Sequence, residues 1–329
     1  MLDLSIIIVN WKSVEYLRKC LRSIYQGEPG ISLEIIVVDN ASNDNCREIL
    51  LREFQDVRCI CLEKNLGFAG ANNVGFRHST GRYILFLNPD TEIVGSALSV
   101  LKSALDADPI VGLVGAKLLN SDLSIQTSCL QAFPTVLNQI FDAEFLRNAF
   151  PRARLWGNWP LFESDPLPRA VDVVSGACMM LPRDVFEKIG HFSNEYFMYS
   201  EDVDLCLRIH KAGLRSCYVG SAVVVHHGGK SSSQEEQSGF ANVLLRESRL
   251  RLLKIWRGRG YSNLYRASIA CVALCRVTLL GIMLVPFGAR KRRALLSAAK
   301  KWLRILRWAL GMEAWARRLR PAFQSIHTK

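Results

Sequence analysis

The first third of this 329-residue chain alternates short apolar runs, rich in β-branched residues, with segments of helical periodicity. Continuous hydrophobicity indicates strands buried on both faces, and strand-helix alternation indicates parallel pairing through right-handed crossovers. The sequence therefore predicts an α/β fold with a mostly parallel, doubly wound sheet, an architecture that binds nucleotides. The apolar runs are Leu4 to Val9, Leu33 to Val38, Val57 to Leu62 and Tyr83 to Leu87, and the helical segments are Val14 to Tyr25, Asn45 to Phe54 and Gly67 to Arg77.

A long irregular stretch, Leu118 to Arg169, separates this part from a second group of predicted elements. Long irregular segments inside compact enzymes are commonly lids or acceptor-binding loops, and we expect the same here. One domain is expected over residues 1–238. Its later elements are a strand over Val171 to Leu181, helices over Arg183 to Ile189 and Asp202 to Ala212, and a last strand over Val219 to Val225.

Residues 239–329 differ from the rest of the chain in charge. They contain 20 Lys and Arg against 2 Asp and Glu, whereas residues 1–238 contain 22 against 28. Their periodicity predicts helices over Val243 to Trp256, Tyr265 to Val285 and Leu295 to Leu310. A basic helical extension of this kind predicts contact with phosphates, on anionic lipid or on nucleic acid, and a solvated basic helix without a partner is the alternative.

The segment Ala267 to Val285 contains 19 mainly apolar residues, enough to span a bilayer. Arg276 lies at its centre and would cost about 2.5 to 3.5 kcal/mol there, so a re-entrant, interfacial or core helix is favoured over a span. The basic run from Arg290 onward, interleaved with Leu and Trp, predicts an interfacial amphipathic helix. The extension is therefore expected to bind an anionic membrane surface peripherally.

The cysteines and the N-terminus indicate a cytoplasmic location. Ten cysteines are scattered through predicted strands and helices, without the rhythm of a disulfide scaffold. The pairs Cys59 with Cys61 and Cys271 with Cys275 are weak zinc signals, and we expect no zinc site. The first residues lack the basic start and long apolar run of a signal peptide. The expected location is the cytoplasmic side of the cell membrane.

Polar residues follow several predicted strands at their carboxyl ends, which form the ligand crevice of open α/β sheets. Asp39 and Asn40 follow the second strand, Asn88 and Asp90 follow the fourth, and His226 follows the last. Asp39 suits a base N–H or a ribose hydroxyl, although a helix cap or turn would use the same residues. Asp90 suits a hard divalent cation bridging a diphosphate, although Asn-Pro-Asp is also an ordinary turn.

Two further segments open helices. Asn65, Gly67 and Asn72 lie where glycines and free N–H groups could accept phosphate, although small residues also serve helix-sheet packing. Glu201, Asp202 and Asp204 follow Ser200, and a cap with acids matched to the helix dipole explains the outer two. A carboxylate such as Asp202 could also take a proton from an attacking hydroxyl.

In order and spacing these segments resemble family 2 glycosyltransferases of the GT-A fold, particularly the rhamnosyltransferase-like branch. The resemblance also includes Ser5 to Trp11 and Val174 to Ala177, and it covers about residues 3 to 235. It implies Asp202 as the general base of an inverting displacement, with Glu201 and Asp204 on the acceptor side. A divalent cation, Mg²⁺ or Mn²⁺, would lie on Asp90 and His226. The implied donor-binding residues are Asn10, Asp39, Asn40, Asn65, Gly67, Asn72, Asn88 and Asp90.

The chain departs from the wider family at Asn88-Pro89-Asp90, where the usual motif is Asp-x-Asp, and Glu92 is the substitute ligand that this suggests. The Gln-x-x-Arg-Trp segment of processive members is absent, which favours addition of a single sugar. The resemblance implies transfer of a sugar from a dTDP- or UDP-sugar, with rhamnose from dTDP-rhamnose as the first expectation, to a lipid-linked glycan in cell-surface polysaccharide synthesis. Alternatives are galactofuranose, a hexose or an N-acetylhexosamine. A nucleotide- or nucleic-acid-binding module is disfavoured because aromatic stacking motifs are absent, so no nucleic-acid partner is expected.

Overall fold

A computed structural model describes residues 2–27, 30–141, 149–150, 154–157, 167–228, 235–283 and 289–319. The strands are β1 (Leu4–Asn10), β2 (Leu33–Asp39), β3 (Arg58–Cys61), β4 (Tyr83–Leu87), β5 (Thr91–Val94), β6 (Val111–Leu119), β7 (Leu130–Gln131), β8 (Arg169–Val171), β9 (Val173–Val174), β10 (Cys178–Pro182) and β11 (Arg215–His226). The helices are α1 (Val14–Gln26), α2 (Cys46–Glu53), α3 (Gly67–Arg77), α4 (Ala97–Ala107), α5 (Val136–Ile140), α6 (Arg183–Lys188), α7 (Glu201–Lys211), α8 (Glu235–Met283), α9 (Ala289–Ala309) and α10 (Ala314–Arg318).

The main sheet has the strand order β3-β2-β1-β4-β10-β6-β11-β5, with β8 also paired to β11. The first four strands are parallel, as predicted, and all seven residues of β1 are buried. Strand β10 runs antiparallel between β4 and β6, and β5 runs antiparallel beside β11. The mostly parallel α/β sheet is therefore confirmed, with antiparallel strands inserted in its second half.

The strand expected over Val171 to Leu181 is broken into β8, β9 and β10. The break before β10 is a turn over Ser175, Gly176 and Ala177, in which the Cys178 N–H donates to the Ser175 carbonyl at 3.4 Å. The turn lies beside the end of β4, because the Asn88 N–H donates to the Ala177 carbonyl at 2.9 Å. The antiparallel strand thus carries this turn to the polar edge of the sheet.

The C-terminal extension is helical, as predicted. Helix α8 is broken at Gly258, whose φ of 86° is left-handed, and its second part packs on α9 around Tyr265, Ile305 and Trp308. The Arg276 guanidinium lies over the Trp302 ring, 4.2 Å from its centroid. Among the described residues, one helical segment, Gly239–Met283, is long and apolar enough to cross a membrane, by length and composition only.

Candidate active site

Asn10 organises the end of the first two strands. Its buried amide nitrogen donates to Ser42 Oγ at 3.0 Å, to Asp44 at 3.1 Å and to Asp39 Oδ1 at 3.4 Å. The Ser42 N–H and hydroxyl also donate to Asp39 Oδ1. Within the described part of the chain, all of these hydrogen bonds to Asp39 end on Oδ1, which leaves Oδ2 for a ligand. The structure therefore joins Asn10 to Asp39, a link that their separation in sequence does not show.

Asn40 and Asn65 hold the chain where it enters α3. The Asn40 amide donates to Asn65 Oδ1 at 3.0 Å and to the Gly67 carbonyl at 3.2 Å, while Asn40 Oδ1 accepts from the Leu66 N–H at 2.8 Å. Asn65 Oδ1 in turn accepts from the Gly67 N–H at 2.8 Å. These side chains are brought together as predicted, but the bonds serve the loop that precedes α3.

Gly67 has a φ of +73°, and a Cβ built on it would lie 2.0 Å from the Phe197 carbonyl oxygen. Backbone strain and overpacking together predict that Gly67→Ala lowers the free energy of unfolding by about 3 kcal/mol. Gly95 is the matched control, because its φ is +56° and no atom lies within 4 Å of its built Cβ. We expect Gly95→Ala to cost only about 1 kcal/mol. Urea unfolding of both variants measures the difference, and equal losses would contradict the assigned clash.

Asn72, expected to contact the donor, is directed to its own helix. It is buried, and its amide donates to the Phe68 carbonyl at 3.0 Å. The neighbouring Asn73 makes a longer-range contact that we did not predict, since its side chain donates to the Phe192 carbonyl at 2.8 Å and accepts from the Phe192 N–H at 3.1 Å. This pair ties α3 to the segment that leads into α7.

Asp90 and His226 meet at the carboxyl edge of the sheet, where His226 is paired with Thr91 across β11 and β5. His226 Nε2 lies 3.4 Å from Asp90 Oδ1 and 3.4 Å from the Asn88 amide nitrogen. Gln126 Oε1 lies 2.8 Å from His226 Nδ1, and the Gln126 amide donates to Asn120. With its oxygen facing Nδ1, Gln126 places the ring proton there, so Nε2 presents its lone pair beside Asp90.

Glu92, considered as a substitute metal ligand, is engaged elsewhere. Its Oε1 lies 2.6 Å from Nε2 of His227, whose Nδ1 lies 2.8 Å from the Ser121 hydroxyl. His227 also contacts the Tyr16 ring, with centroids 5.6 Å apart. Each of the two adjacent histidines therefore contacts a different carboxylate: His226 contacts Asp90, and His227 contacts Glu92.

Asp202 lies at the start of α7, opposite the turn before β10. Its Oδ2 accepts from the Gly176 N–H at 3.2 Å and its Oδ1 from the Val203 N–H at 2.8 Å. Burial raises the pKa of Asp202 above its usual range, and these two backbone N–H groups oppose that shift. The turn at Gly176 therefore orients a carboxylate whose proton affinity is increased.

The two residues before Asp202, Ser200 and Glu201, differ from the simple cap that the sequence suggested. Ser200 has a left-handed φ of 69°, its side chain makes no cap hydrogen bond, and its buried hydroxyl has no partner among the described residues. Glu201 is also buried, and its Oε2 has no hydrogen-bond partner there. The start of α7 thus contains two buried polar atoms, Ser200 Oγ and Glu201 Oε2, that have no hydrogen-bond partner among the described residues.

Both Asp204 oxygens are used in holding helices together. Oδ2 accepts from Arg208 Nε at 2.9 Å, the ion pair predicted from their spacing, and Oδ1 accepts from Trp256 Nε1 at 2.9 Å. The Tyr196 hydroxyl donates to the same Oδ1 at 3.4 Å. In this structure Asp204, predicted on the acceptor side, therefore bonds within α7 and to α8.

Burial, and then repulsion from Asp202, raises the pKa of Glu201 well above 4.5. The folded chain keeps a proton that the unfolded chain releases as pH rises past about 4.5, so stability falls across that range. Glu201→Gln removes this titration, and we expect its free energy of unfolding to fall less with rising pH. Urea unfolding over a pH series measures this. Glu63→Gln is the control, because Glu63 is exposed. If the free energy of unfolding depends on pH equally in Glu201→Gln and in the wild type, the raised pKa is wrongly assigned to Glu201.

The model for the family described as "Glycosyl transferase family 2" matches residues 5–190. Because the match includes more than half of the chain and the sheet carries the polar edge described above, the chain belongs to glycosyl transferase family 2. The fold is the GT-A fold. It is similar to the structure of GalNAc-T7 with UDP, GalNAc and Mn²⁺, at a TM-score of 0.62 and 15% identity, over 96% of this chain and 57% of that one.

Two curated relatives are similar over more than half of this chain. The low-salt glycan biosynthesis hexosyltransferase Agl10 of Haloferax volcanii is 30% identical over 228 residues, which is 67% of this chain. The N-acetylglucosaminyl-diphospho-decaprenol L-rhamnosyltransferase of Mycobacterium tuberculosis is 29% identical over 205 residues, or 59% of this chain. In both cases the match spans 66% of the relative's own length.

Proposed function

We propose that this protein is an inverting glycosyltransferase that adds one sugar from a nucleotide-sugar to a lipid-linked glycan. The observation that carries the proposal is the connection between two unlike carboxylates at one sheet edge. Asp90 lies beside His226, and Asp202 is held by Gly176 in the turn whose next residue, Ala177, binds Asn88. The Asp90 carboxylate is suited to binding a cation, and the Asp202 carboxylate is suited to accepting a proton.

The nucleoside end of the proposed donor site lies at Asp39. Its Oδ1 is fixed by Asn10 and Ser42, and Oδ2 is available to accept from a base N–H or a ribose hydroxyl. Asn40, Asn65 and Gly67 shape the adjoining loop through mutual hydrogen bonds, so we assign them a positioning role. Asn72 bonds within α3, which supports a packing role for this residue.

The donor set at Asp90 and His226 fits a divalent cation. It offers one carboxylate oxygen and one imidazole nitrogen whose tautomer is fixed by Gln126, and an ion that also binds a diphosphate needs only one or two protein ligands. When bound there, such a cation, Mg²⁺ or Mn²⁺, would supply charge stabilisation for a departing diphosphate. The structural neighbour GalNAc-T7 contains UDP and Mn²⁺. Asn88 stands where the usual Asp-x-Asp motif has its first acid, so this site has one carboxylate fewer than that motif.

Asp202 is proposed as the general base. It would accept the proton of the acceptor hydroxyl as that oxygen bonds to the anomeric carbon and the nucleotide departs with the bonding electrons from the opposite face. The Gly176 and Val203 N–H groups fix the orientation of the carboxylate, and each oxygen retains a lone pair. Glu201, beside it, is kept protonated by burial and adds no second negative charge at low pH.

The relatives guide the choice of sugar. The Mycobacterium relative is a rhamnosyltransferase that acts on a diphospho-decaprenol acceptor, and the Haloferax relative is a hexosyltransferase. Rhamnose from dTDP-rhamnose is therefore our first proposal, and galactofuranose, another hexose or an N-acetylhexosamine are the alternatives. The acceptor would be a lipid-linked glycan at the cytoplasmic face of the membrane.

A panel of nucleotide-sugars tests the function directly. The full chain is incubated with each donor and a polyprenyl-diphosphate sugar in detergent, with Mg²⁺, with Mn²⁺ or with chelator, and both the released nucleotide and the extended lipid are measured. We expect turnover with one dTDP- or UDP-sugar and loss of turnover in chelator. Nucleotide release without extension of the lipid would identify a hydrolase and contradict the proposed transfer.

The extension is proposed to hold the enzyme on anionic lipid. Exposed apolar side chains on α8 include Leu279 and Ile282, at 59% and 64% exposure. We expect Leu279→Glu with Ile282→Glu to lower binding to anionic vesicles by about tenfold or more, because apolar insertion is replaced by charge repulsion. Leu51→Glu with Leu123→Glu changes two equally exposed leucines in the catalytic part. Equal losses in both double variants, measured by vesicle sedimentation, would contradict binding through the extension.

A further inference from the structure

An open cavity lies where the catalytic part meets the extension. It has a volume of about 750 Å³ and is lined by the loop after α6, by α7 and by the first part of α8. None of its lining residues is assigned to the donor, to the cation or to the proposed base. Ligand sites in proteins commonly have volumes of about 300 to 1,000 Å³, so this cavity is large enough for a small organic ligand.

One wall of the cavity is apolar and comes from the extension. The Trp256 indole Nε1 donates to Asp204 Oδ1 at 2.9 Å, and the Lys211 ammonium lies 4.0 Å from the centroid of the Trp256 ring. The neighbouring Ile255 also lines the cavity and is 53% exposed. Apolar surface and positive charge therefore lie side by side, which suits a ligand with an apolar part and an anionic part.

Two hydrogen-bond donors of the lining lack an acceptor. The Arg208 guanidinium donates from Nε to Asp204 and from Nη1 to the Ile189 carbonyl at 2.6 Å, but its Nη2 has no hydrogen-bond partner within the described part of the chain. Lys254 is exposed, and its ammonium forms no ion pair with any residue that the structure describes. A ligand that brings acceptor oxygens would satisfy both donors, and phosphate oxygens accept strongly from guanidinium and ammonium groups.

The charge of the lining also favours an anion. Three cations line the cavity with two acids: Arg208, Arg251 and Lys254, with Glu195 and Asp204. Arg251 is held by the Glu195 backbone carbonyl at 2.9 Å and by an acid outside the lining. The donors at Arg208 and Lys254 thus remain for an anionic ligand.

We propose that this cavity binds the phosphate of an anionic phospholipid. The phosphate would lie at Arg208 and Lys254, and the methylene groups next to it would lie against Ile255 and Trp256. The inference rests on the proposed binding of the extension to anionic lipid and deepens it, because it assigns one headgroup to a defined site. Inorganic phosphate would satisfy the two donors but would leave the apolar wall uncovered.

A soluble lipid tests the site without a bilayer. The full chain is titrated by calorimetry with dihexanoylphosphatidylglycerol below its critical micelle concentration, and we expect one molecule to bind per chain. Dihexanoylphosphatidylcholine, whose choline offsets the phosphate charge, and inorganic phosphate should each bind about tenfold more weakly or worse. Equal binding of the choline lipid would show that charge is not recognised, and equal binding of phosphate would show that the lipid is not recognised. Either result would overturn the proposal.

Matched variants locate the soluble lipid. We expect Lys254→Glu to weaken its binding by about tenfold or more, whereas Lys300→Glu, which alters an exposed lysine of α9, should stay within about twofold of wild type. Ile255→Ser should weaken binding by about fivefold and Leu264→Ser should not, although the two side chains are 53% and 55% exposed on the same helix. Wild-type affinity in Lys254→Glu would overturn the site.

Vesicle sedimentation separates this site from the proposed function. If the full chain binds anionic vesicles but not the soluble lipid, the cavity site fails and the proposed membrane binding stands. If it binds the soluble lipid but not vesicles, the cavity site stands and the proposed membrane binding fails. We expect binding in both assays, with Leu279→Glu and Ile282→Glu together affecting only the vesicles, because these side chains do not line the cavity.

Discussion

Asp202→Asn is expected to lower kcat by about 10²- to 10⁴-fold while donor affinity stays within about twofold, because it removes the proposed general base. The substitution preserves shape and one acceptor oxygen, so one of the two hydrogen bonds from Gly176 and Val203 is kept. Donor affinity is measured by calorimetry with the nucleotide and the metal, and kcat by extension of the lipid acceptor. The two readouts separate loss of the base from loss of the site.

The pH profile gives an independent check on Asp202. A base acts only when deprotonated, so the wild-type rate should fall as pH falls through the raised pKa of this carboxyl, which lies above 3.8. The residual rate of Asp202→Asn should not show this fall at acidic pH. Asp184→Asn is the matched control, since Asp184 is the exposed second residue of α6 just as Asp202 is the second residue of α7. A fully active Asp202→Asn enzyme would refute the role.

The second large effect is expected from Asp90→Asn. Removing the Asp90 carboxylate beside His226 should lower Mn²⁺ affinity by about 100-fold and abolish most metal-dependent donor binding, because Asn88 cannot replace the lost charge. Paramagnetic relaxation of water protons reports Mn²⁺ binding directly, and calorimetry reports the nucleotide. High metal concentration should restore part of the turnover.

Glu92→Gln is the control for Asp90→Asn. It neutralises a carboxylate two residues further along the chain, but that carboxylate contacts His227. We expect Mn²⁺ affinity within about threefold of wild type, and any loss should appear in thermal stability. If Glu92→Gln and Asp90→Asn weaken Mn²⁺ binding equally, the ion lies between the two carboxylates and our assignment of the ligands is wrong.

Local sequence pattern predicted the elements whose burial is set by their own residues. Continuous apolar runs identified β1, β2 and β4 because strands in the centre of a parallel sheet are covered on both faces. Helical periodicity likewise identified α1 and the extension. The antiparallel insertion of β10 between β4 and β6 was not predictable, since strand neighbours far apart in sequence leave no periodic signal.

The candidate site shows the same division. The positions of Asp39, Asp90 and His226 just after predicted strands indicated that they lie at one edge of the sheet. Their partners come from distant loops, as Gln126 does for His226, and the pattern that flags a polar strand end does not name its partner. Asp204 is the sharpest case. An acid in the first turn of a helix is explained by the dipole, whereas its actual partner, Trp256, lies 52 residues away in α8.

That bond has a geometric consequence for the enzyme. The Trp256 indole donates to the helix that carries Asp202, and the Ser248 hydroxyl donates to the Met198 carbonyl just before it. The first part of α8 is thus fixed by side chains to the segment that carries the proposed base, and Trp308 of α9 joins the same part by donating to Glu247 at 2.9 Å, in contrast to a flexible linker that would let the extension and the base drift apart. Because of this connection, binding of the extension to lipid would hold Asp202 at a fixed distance from the membrane surface. Only a lipid-linked glycan whose length matches that distance would then reach the proposed base.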